Sequence, residues 1–133
     1  MQVNTYLLFN GNCKEAFEFY AKCLNGKIES MMSHAGTPAE QHVPAEWKDK
    51  IIHARMSVGN EVLMASDAPP DRYERPQGFS VNLGFNDETE AKRIYDQLSA
   101  DGKIIMPLGP TFWAKAFAMF VDRFGTPWMI NCE

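Results

Sequence analysis

The sequence predicts an α+β fold made of two βαβββ modules in one chain. Three observations lead there. The stretch "FNGNCKEAFEFYAKCLNGKI", Phe9 to Ile28, is echoed by "FNDETEAKRIYDQLSADGKI", Phe85 to Ile104. Both open on Phe-Asn, carry Ala and Tyr four residues apart, and close on Gly-Lys-Ile. Inside each copy the apolar residues recur at helical spacing, while the flanking segments read as strands and hairpins.

In the first module, "VNTYLLFN" reads as a strand. Asn12 precedes Glu15 by three residues, the spacing of a capping box. Cys13, Phe17, Tyr20 and Leu24 then form one apolar stripe. Gly26 is expected to end this helix in the left-handed conformation. A strand starts at Lys27, and "IIHARMSVGNEVLMASD" follows as a hairpin turning at Gly59-Asn60, a pair suited to a two-residue primed turn.

The second module repeats this order. In "GFSVNLGFN", Phe79, Val81, Leu83 and Phe85 fall on one side of a strand, and Ser80, Asn82 and Gly84 on the other. Asp87 with Glu90 opens the helix, Ala91, Ile94, Tyr95 and Leu98 supply its stripe, and Gly102 closes it. A strand from Lys103 leads to the hairpin "AFAMFVDRFGTPWMINC", whose turn lies between Asp122 and Gly125, with Asp122 and Arg123 shaping it.

The modules span 1–68 and 78–133 of a single domain, 1–133. The segment between them, Ser66 to Gly78, is kept extended by Pro69, Pro70 and Pro76. A module of roughly sixty residues buries only a marginal core alone, so two together are expected to share one. The polar, Gly- and Pro-bearing stretch Ala35 to Lys50 reads as a surface loop.

Composition narrows the function. The 133 residues carry a formal charge of −4, and Lys and Arg are scattered, which argues against nucleic acid. No apolar run approaches the ~20 residues of a membrane span, and no basic-then-apolar signal stands at the start. The three cysteines, Cys13, Cys23 and Cys132, have no CxxC spacing and read as buried reduced thiols. A soluble, cytoplasmic protein is the expectation.

The segments "YLLFNGNCKEAFEFY", "HARMSVGNEVLMASD", "MPLGPTFWAKAFAMFVDRFG" and "WMINC" resemble the vicinal-oxygen-chelate superfamily (the glyoxalase, bleomycin-resistance and dioxygenase group), and within it the PhnB-like proteins. The resemblance implies an eight-stranded mixed sheet curled around a central cavity, two main helices outside it, ligands bound within, and assembly as a homodimer. In metal-using members, His, Gln or Glu on the first, fourth, fifth and eighth strands hold a divalent ion. Alignment by helix and turn landmarks puts Thr5, Met64, Ser80 and Met129 there. None is a usual ligand for a hard or borderline dication; the two Met thioethers suit soft copper better but read as packing, so no metal is expected. No cofactor is expected either, because no glycine-rich nucleotide loop follows a strand.

Pairing outward from Gly59-Asn60 sets Arg55 opposite Met64 and His53 opposite Ser66, so all four are expected on one face. Ser80 and Asn82 join them from the second module, with Met129 and Asn131 from the last strand. This wall is polar and mostly neutral. Arg55 could hold a carboxylate or phosphate through two parallel contacts. His53 is the one catalytic candidate, as a proton shuttle suited to neutral pH; as a structural residue it would hydrogen-bond a neighbour such as Asp67. Trp113, after Pro107, Gly109 and Pro110, could roof the ligand or close a core or dimer contact, with Lys115 nearby. His34 and His42 read as solvated loop histidines.

Three functions compete. The first is a metal-free small-molecule binder. The second is an enzyme, either metal-free with His53 as acid/base or a metal-dependent lyase or dioxygenase. The third is a structural dimer with a vestigial cavity.

Overall fold

A computed structural model describes residues 1–133 and resolves the chain into two compact units, Met1–Glu74 and Arg75–Glu133. Each contains one βαβββ module, in the order expected from the repeat. No helix is long and apolar enough to cross a membrane.

The first unit runs β1 (Thr5–Phe9), α1 (Cys13–Leu24), β2 (Lys27–Ser33), β3 (Ile51–Val58) and β4 (Glu61–Asp67). Its four strands lie in the order β1-β4-β3-β2, with β1 parallel to β4 and the other pairs antiparallel. The β3–β4 turn sets the register as its sequence requires. Val58 faces Glu61, and of the two turn residues only Gly59 has a positive φ (57°), as a type II′ turn demands. Strand alternation then divides the side chains. Leu7, Phe9, Ala54, Met56, Leu63 and Ala65 are buried on the face that α1 covers with Ala16, Phe17, Tyr20 and Leu24. Phe9, Phe17 and Tyr20 meet with ring centroids 6.2–6.4 Å apart. This aromatic triangle anchors the helix to the sheet.

The second unit repeats the plan with β5 (Val81–Phe85), α2 (Glu88–Leu98), β6 (Lys103–Gly109), β7 (Ala116–Val121) and β8 (Pro127–Cys132), in the order β5-β8-β7-β6. Ala91, Ile94 and Leu98 of α2 are buried, as are Ala118, Phe120, Trp128, Ile130 and Cys132 of its sheet. Tyr95 meets Phe120 edge-on at 5.7 Å. Asp122 shapes the β7–β8 turn, accepting from the Phe124 and Thr126 amides at 2.8 and 3.0 Å and from Trp128 Nε1 at 2.8 Å.

The first helix end departs from expectation, and the second shares its geometry. The left-handed residues are Asn25 (φ 54°) and Asp101 (φ 61°), not the glycines that follow them. Gly26 and Gly102 serve close approach instead. A Cβ on Gly26 would lie 3.0 Å from the Ser57 carbonyl, and one on Gly102 only 2.3 Å from that of Val121. The capping box at Asn12 does not form either; Asn12 makes no side-chain cap, and its Oδ1 is buried without a partner. Asp67 Oδ1, 54 residues away, accepts from the Cys13 amide at 2.9 Å, while Oδ2 accepts from the Ile51 amide at 2.8 Å. In α2, Asp87 caps locally through the Thr89 amide at 2.9 Å.

The stretch between β2 and β3 is more ordered than a plain loop. It holds two 3-10 turns, Pro38–His42 and Ala45–Trp47, and Lys50 Nζ donates to the Gly11 carbonyl at 2.9 Å. His34 is buried there with Nδ1 2.9 Å from the Lys50 carbonyl oxygen, which corrects its reading as solvated, while His42 is exposed.

Candidate functional site

Each sheet leaves one face uncovered by its own helix, and these faces carry the candidate residues. In the first unit Arg55 lies opposite Met64 on one side and Ser30 on the other, and Met64 lies beside Tyr6. One row across the sheet therefore reads Ser30, Arg55, Met64, Tyr6. His53 sits opposite Met32, one step along the same face, with Ser66 and Leu8 in the neighbouring positions of β4 and β1.

Thr5 does not belong to this face. It is in register with Leu63 and shares the parity of Leu7 and Phe9, on the α1 side. The five residues "TYLLF" contain apolar side chains at both parities, so the sequence alone set the strand one residue off. Tyr6 takes the place assigned to Thr5. Its hydroxyl lies 3.2 Å from His53 Nδ1, with ring centroids 5.9 Å apart. Asp67 cannot serve His53, since it is buried on the opposite face and engaged by two backbone amides.

Arg55 has an ion partner that sequence reasoning missed. Its Nε is 3.5 Å from Glu29 Oε2, and both side chains are roughly two-fifths exposed. A pair so open to water contributes about 0–1 kcal/mol. The contact uses Nε, so the two terminal amino groups of the fork remain for a carboxylate or phosphate. Glu29 was hidden because the β2–β3 pairing slips between Ile28 and Ser30, which brings a residue near the bulge beside Arg55.

On the second unit Asn82 lies beside Met129, Met129 opposite Met119, and Met119 opposite Met106. The next row reads Gly84, Asn131, Phe117, Gly109. Asn131 Oδ1 is buried without a partner, and its Nδ2 donates to Glu133 at 3.2 Å. Trp113 is about half exposed and meets Phe117 edge-on at 5.2 Å and Phe112 at 4.8 Å. Its approach is fixed by Thr111, whose Oγ1 accepts from the Ala114 amide at 3.0 Å. Ser80 precedes β5 and pairs with no strand there. The alternating pattern overran the strand's start, and Phe79 is half exposed rather than packed.

Other titratable clusters are structural. A depression along α2 is lined by Glu88, Thr89, Lys92, Arg93 and Asp96; Lys92 pairs with Asp96, and Arg93 pairs with Glu90 and holds its carboxyl below the ordinary range. Burial, reinforced by the Asp67 charge, pushes the Cys13 thiol up to about 12, so it is not a reactive nucleophile at neutral pH. Cys23 and Cys132 are also free and buried.

This arrangement and its doubled topology define the class: the chain belongs to the Glyoxalase/Bleomycin resistance protein/Dioxygenase superfamily, whose family model matches residues 2–130. It is 35% identical to Protein YjdN of Escherichia coli K12, over 98% of this chain and 95% of that one. Protein PA1353 from Pseudomonas aeruginosa is 49% identical, with a TM-score of 0.92 over 100% of this chain and 98% of its own. The PhnB protein from Bacillus cereus is similar in fold, with a TM-score of 0.84 at 23% identity and full coverage of both chains.

The divalent ion used by members of such a family does not fit the donors present. The four helix-free positions that correspond between the units are Tyr6, Met64, Asn82 and Met129, with neither carboxylate nor imidazole among them. Nowhere do three His, Cys, Asp or Glu side chains gather as a metal-binding group. Hard dications need oxygen anions, and borderline ones need imidazole or thiolate.

Proposed function

We propose that the protein binds a small anionic molecule without a divalent metal, anchored by Arg55 on the helix-free face of the first unit. The observation that carries this reading is the half-exposed Arg55 fork, standing among Ser30, Met64 and Tyr6 with one weak ion pair at its Nε. His53 and Ser66 supply neutral polar contacts beside it. Asn82, Met129, Asn131 and Trp113 belong to the same proposal as lining residues of the second unit, and the two modules as one domain.

The test is a thermal-shift screen of small carboxylates and phosphonates, followed by calorimetric titration of the best binder. Arg55→Ala should weaken that binder by about 1.5–3 kcal/mol, the scale of a hydrogen bond to a charged group. His53→Ala should cost less. Unchanged affinity in Arg55→Ala removes the anchor and the proposal with it.

The Tyr6–His53 contact favours a second reading, an enzyme in which His53 moves a proton. Tyr6 engages Nδ1 and thereby orients the ring, leaving Nε2 for the ligand. Turnover of the bound anion that disappears in His53→Ala while binding persists would establish it; no turnover in the wild-type protein rejects it.

Homodimer assembly and a reducing, cytoplasmic setting complete the proposal. Ile104 and Ile105 on edge strand β6 are about half exposed, and three free buried thiols fit such a compartment. A monomer by native mass spectrometry would remove the dimer.

A further inference from the structure

Eight methionines stand in this chain, and three of them are aligned across three neighbouring strands of one sheet. Met106 of β6 is opposite Met119 of β7, which is opposite Met129 of β8. Directly opposed residues in a sheet project to the same side, so the three thioethers share a face. It is the helix-free face, because Phe120, adjacent to Met119, is fully buried on the other side.

These are not ordinary core methionines. Met56, on the α1 side of the first unit, has no exposed surface, whereas Met106 is 43% exposed and Met119 and Met129 are half-buried. The surroundings are neutral: Asn82 ends the row, Asn131 and Phe117 lie in the next one, and Trp113 covers Phe117 edge-on. No carboxylate or imidazole occupies either row.

We propose that Met106, Met119 and Met129 form a binding site for a soft monovalent metal ion, Cu(I), for which Ag(I) is a redox-inert stand-in. Thioether sulfur is a soft, uncharged donor that prefers Cu(I) to the hard or borderline dications. Strands are about 4.8 Å apart, and each Met side chain has three rotatable bonds, so three sulfurs on adjacent strands can converge above the middle one. Phe117, in the next row, supplies no competing ligand. All three donors belong to the second unit.

The test titrates silver nitrate into the full chain in chloride-free buffer, following the methionine ε-methyl signals by NMR and the heat by calorimetry. The signals of Met106, Met119 and Met129 should move together and saturate at one Ag(I) per chain, while those of Met56 and Met64 stay in place. Met119→Leu conserves volume and should weaken binding by roughly tenfold or more through loss of one of three donors. Met64→Leu should not change it. Anaerobic competition for Cu(I) against a chromophoric chelator should rank the variants in the same order. Wild-type affinity in the Met106→Leu/Met119→Leu/Met129→Leu protein would assign the ion to the buried thiols and overturn the proposal. Unmoved methyl signals would overturn it as well, and that reading needs no variant to fold.

Discussion

The two units use one framework for opposite chemistry. The corresponding helix-free row reads Ser30, Arg55, Met64, Tyr6 in the first and Met106, Met119, Met129, Asn82 in the second. One row offers a guanidinium and hydroxyls, the other three thioethers and an amide. The helix-covered faces, by contrast, are mainly apolar in both units. Packing under a helix constrains that face, while the other face is free to diverge once the sheet is built. Duplication thus supplies a repeated scaffold and leaves the chemistry to a few residues per unit.

The units also fasten their backbones differently, and the largest expected effects break those fastenings. Asp122 satisfies two amides and the Trp128 indole, all within one hairpin. Asp67 joins only two amides, but from α1 and β3. Each orphaned buried donor costs about 1–3 kcal/mol, so Asp122→Ala should cost about 4 kcal/mol and Asp67→Ala about 3 kcal/mol. Urea denaturation measures both. Equal or inverted costs would show that the longer-range tie matters more than the number of donors.

The glycines after the helices sharpen the same comparison. Gly102→Ala drives a methyl against a backbone carbonyl at 2.3 Å, where nothing flexible can yield. Gly26→Ala meets the Met56 sulfur and a Val58 methyl at 3.1 Å, besides the Ser57 carbonyl at 3.0 Å. Overpacking of this kind costs about 3 kcal/mol where the neighbour is rigid and about 1 kcal/mol where side chains can move. Similar denaturation midpoints for the two variants would mean that the β6–β7 region relaxes as readily as β2–β3.

How far the sequence reveals this molecule depends on the distance over which each feature is determined. Helix stripes and the Gly59-Asn60 turn are local, so both modules and the Arg55–Met64 register follow directly. Features fixed by distant partners do not. Asn12 looks like a cap, yet Asp67 takes that role from 54 residues away. Thr5 and Tyr6 are told apart only by parallel pairing with β4, which leaves no local mark in a strand apolar at both parities. Glu29 reaches Arg55 because of a bulge that periodicity does not encode. The α-turn glycines were visible, but whether they serve positive φ or close approach depends on the strand behind them.

A smaller effect belongs to the first unit and is read by pH. Burial, reinforced by the Asp67 charge, raises the Cys13 thiol from 9.0 to about 12. A neutral thiol preferred by the fold contributes stability that is complete below pH 9.0 and is lost as pH rises toward 12, because the unfolded chain releases its proton first. The decline should approach about 1.4 kcal/mol per pH unit within that window. Cys13→Ala should flatten it between pH 9 and 10.5, as read by urea midpoints. An equally steep decline in that variant would place the alkaline sensitivity elsewhere.

The smallest effect tests the division of chemistry most directly. Glu29 stands 3.5 Å from Arg55 Nε and is therefore a standing competitor for whatever anion the guanidinium holds. Its counterpart one position before the thioether row is Ile105, exposed but uncharged. Removing the Glu29 charge relieves repulsion of an incoming anion and frees Nε, while costing little stability because the pair is open to water. Glu29→Gln should tighten binding of the best carboxylate or phosphonate by about 0.5–1 kcal/mol at low salt, with the gain shrinking as ionic strength rises. Ile105→Gln, on the other unit, should leave anion affinity unchanged. Weaker binding in Glu29→Gln would mean that the carboxylate positions Arg55 rather than competing with the ligand. An equal gain from Ile105→Gln would mean that anions do not distinguish the two faces, and the contrast between them would fail at the level of function.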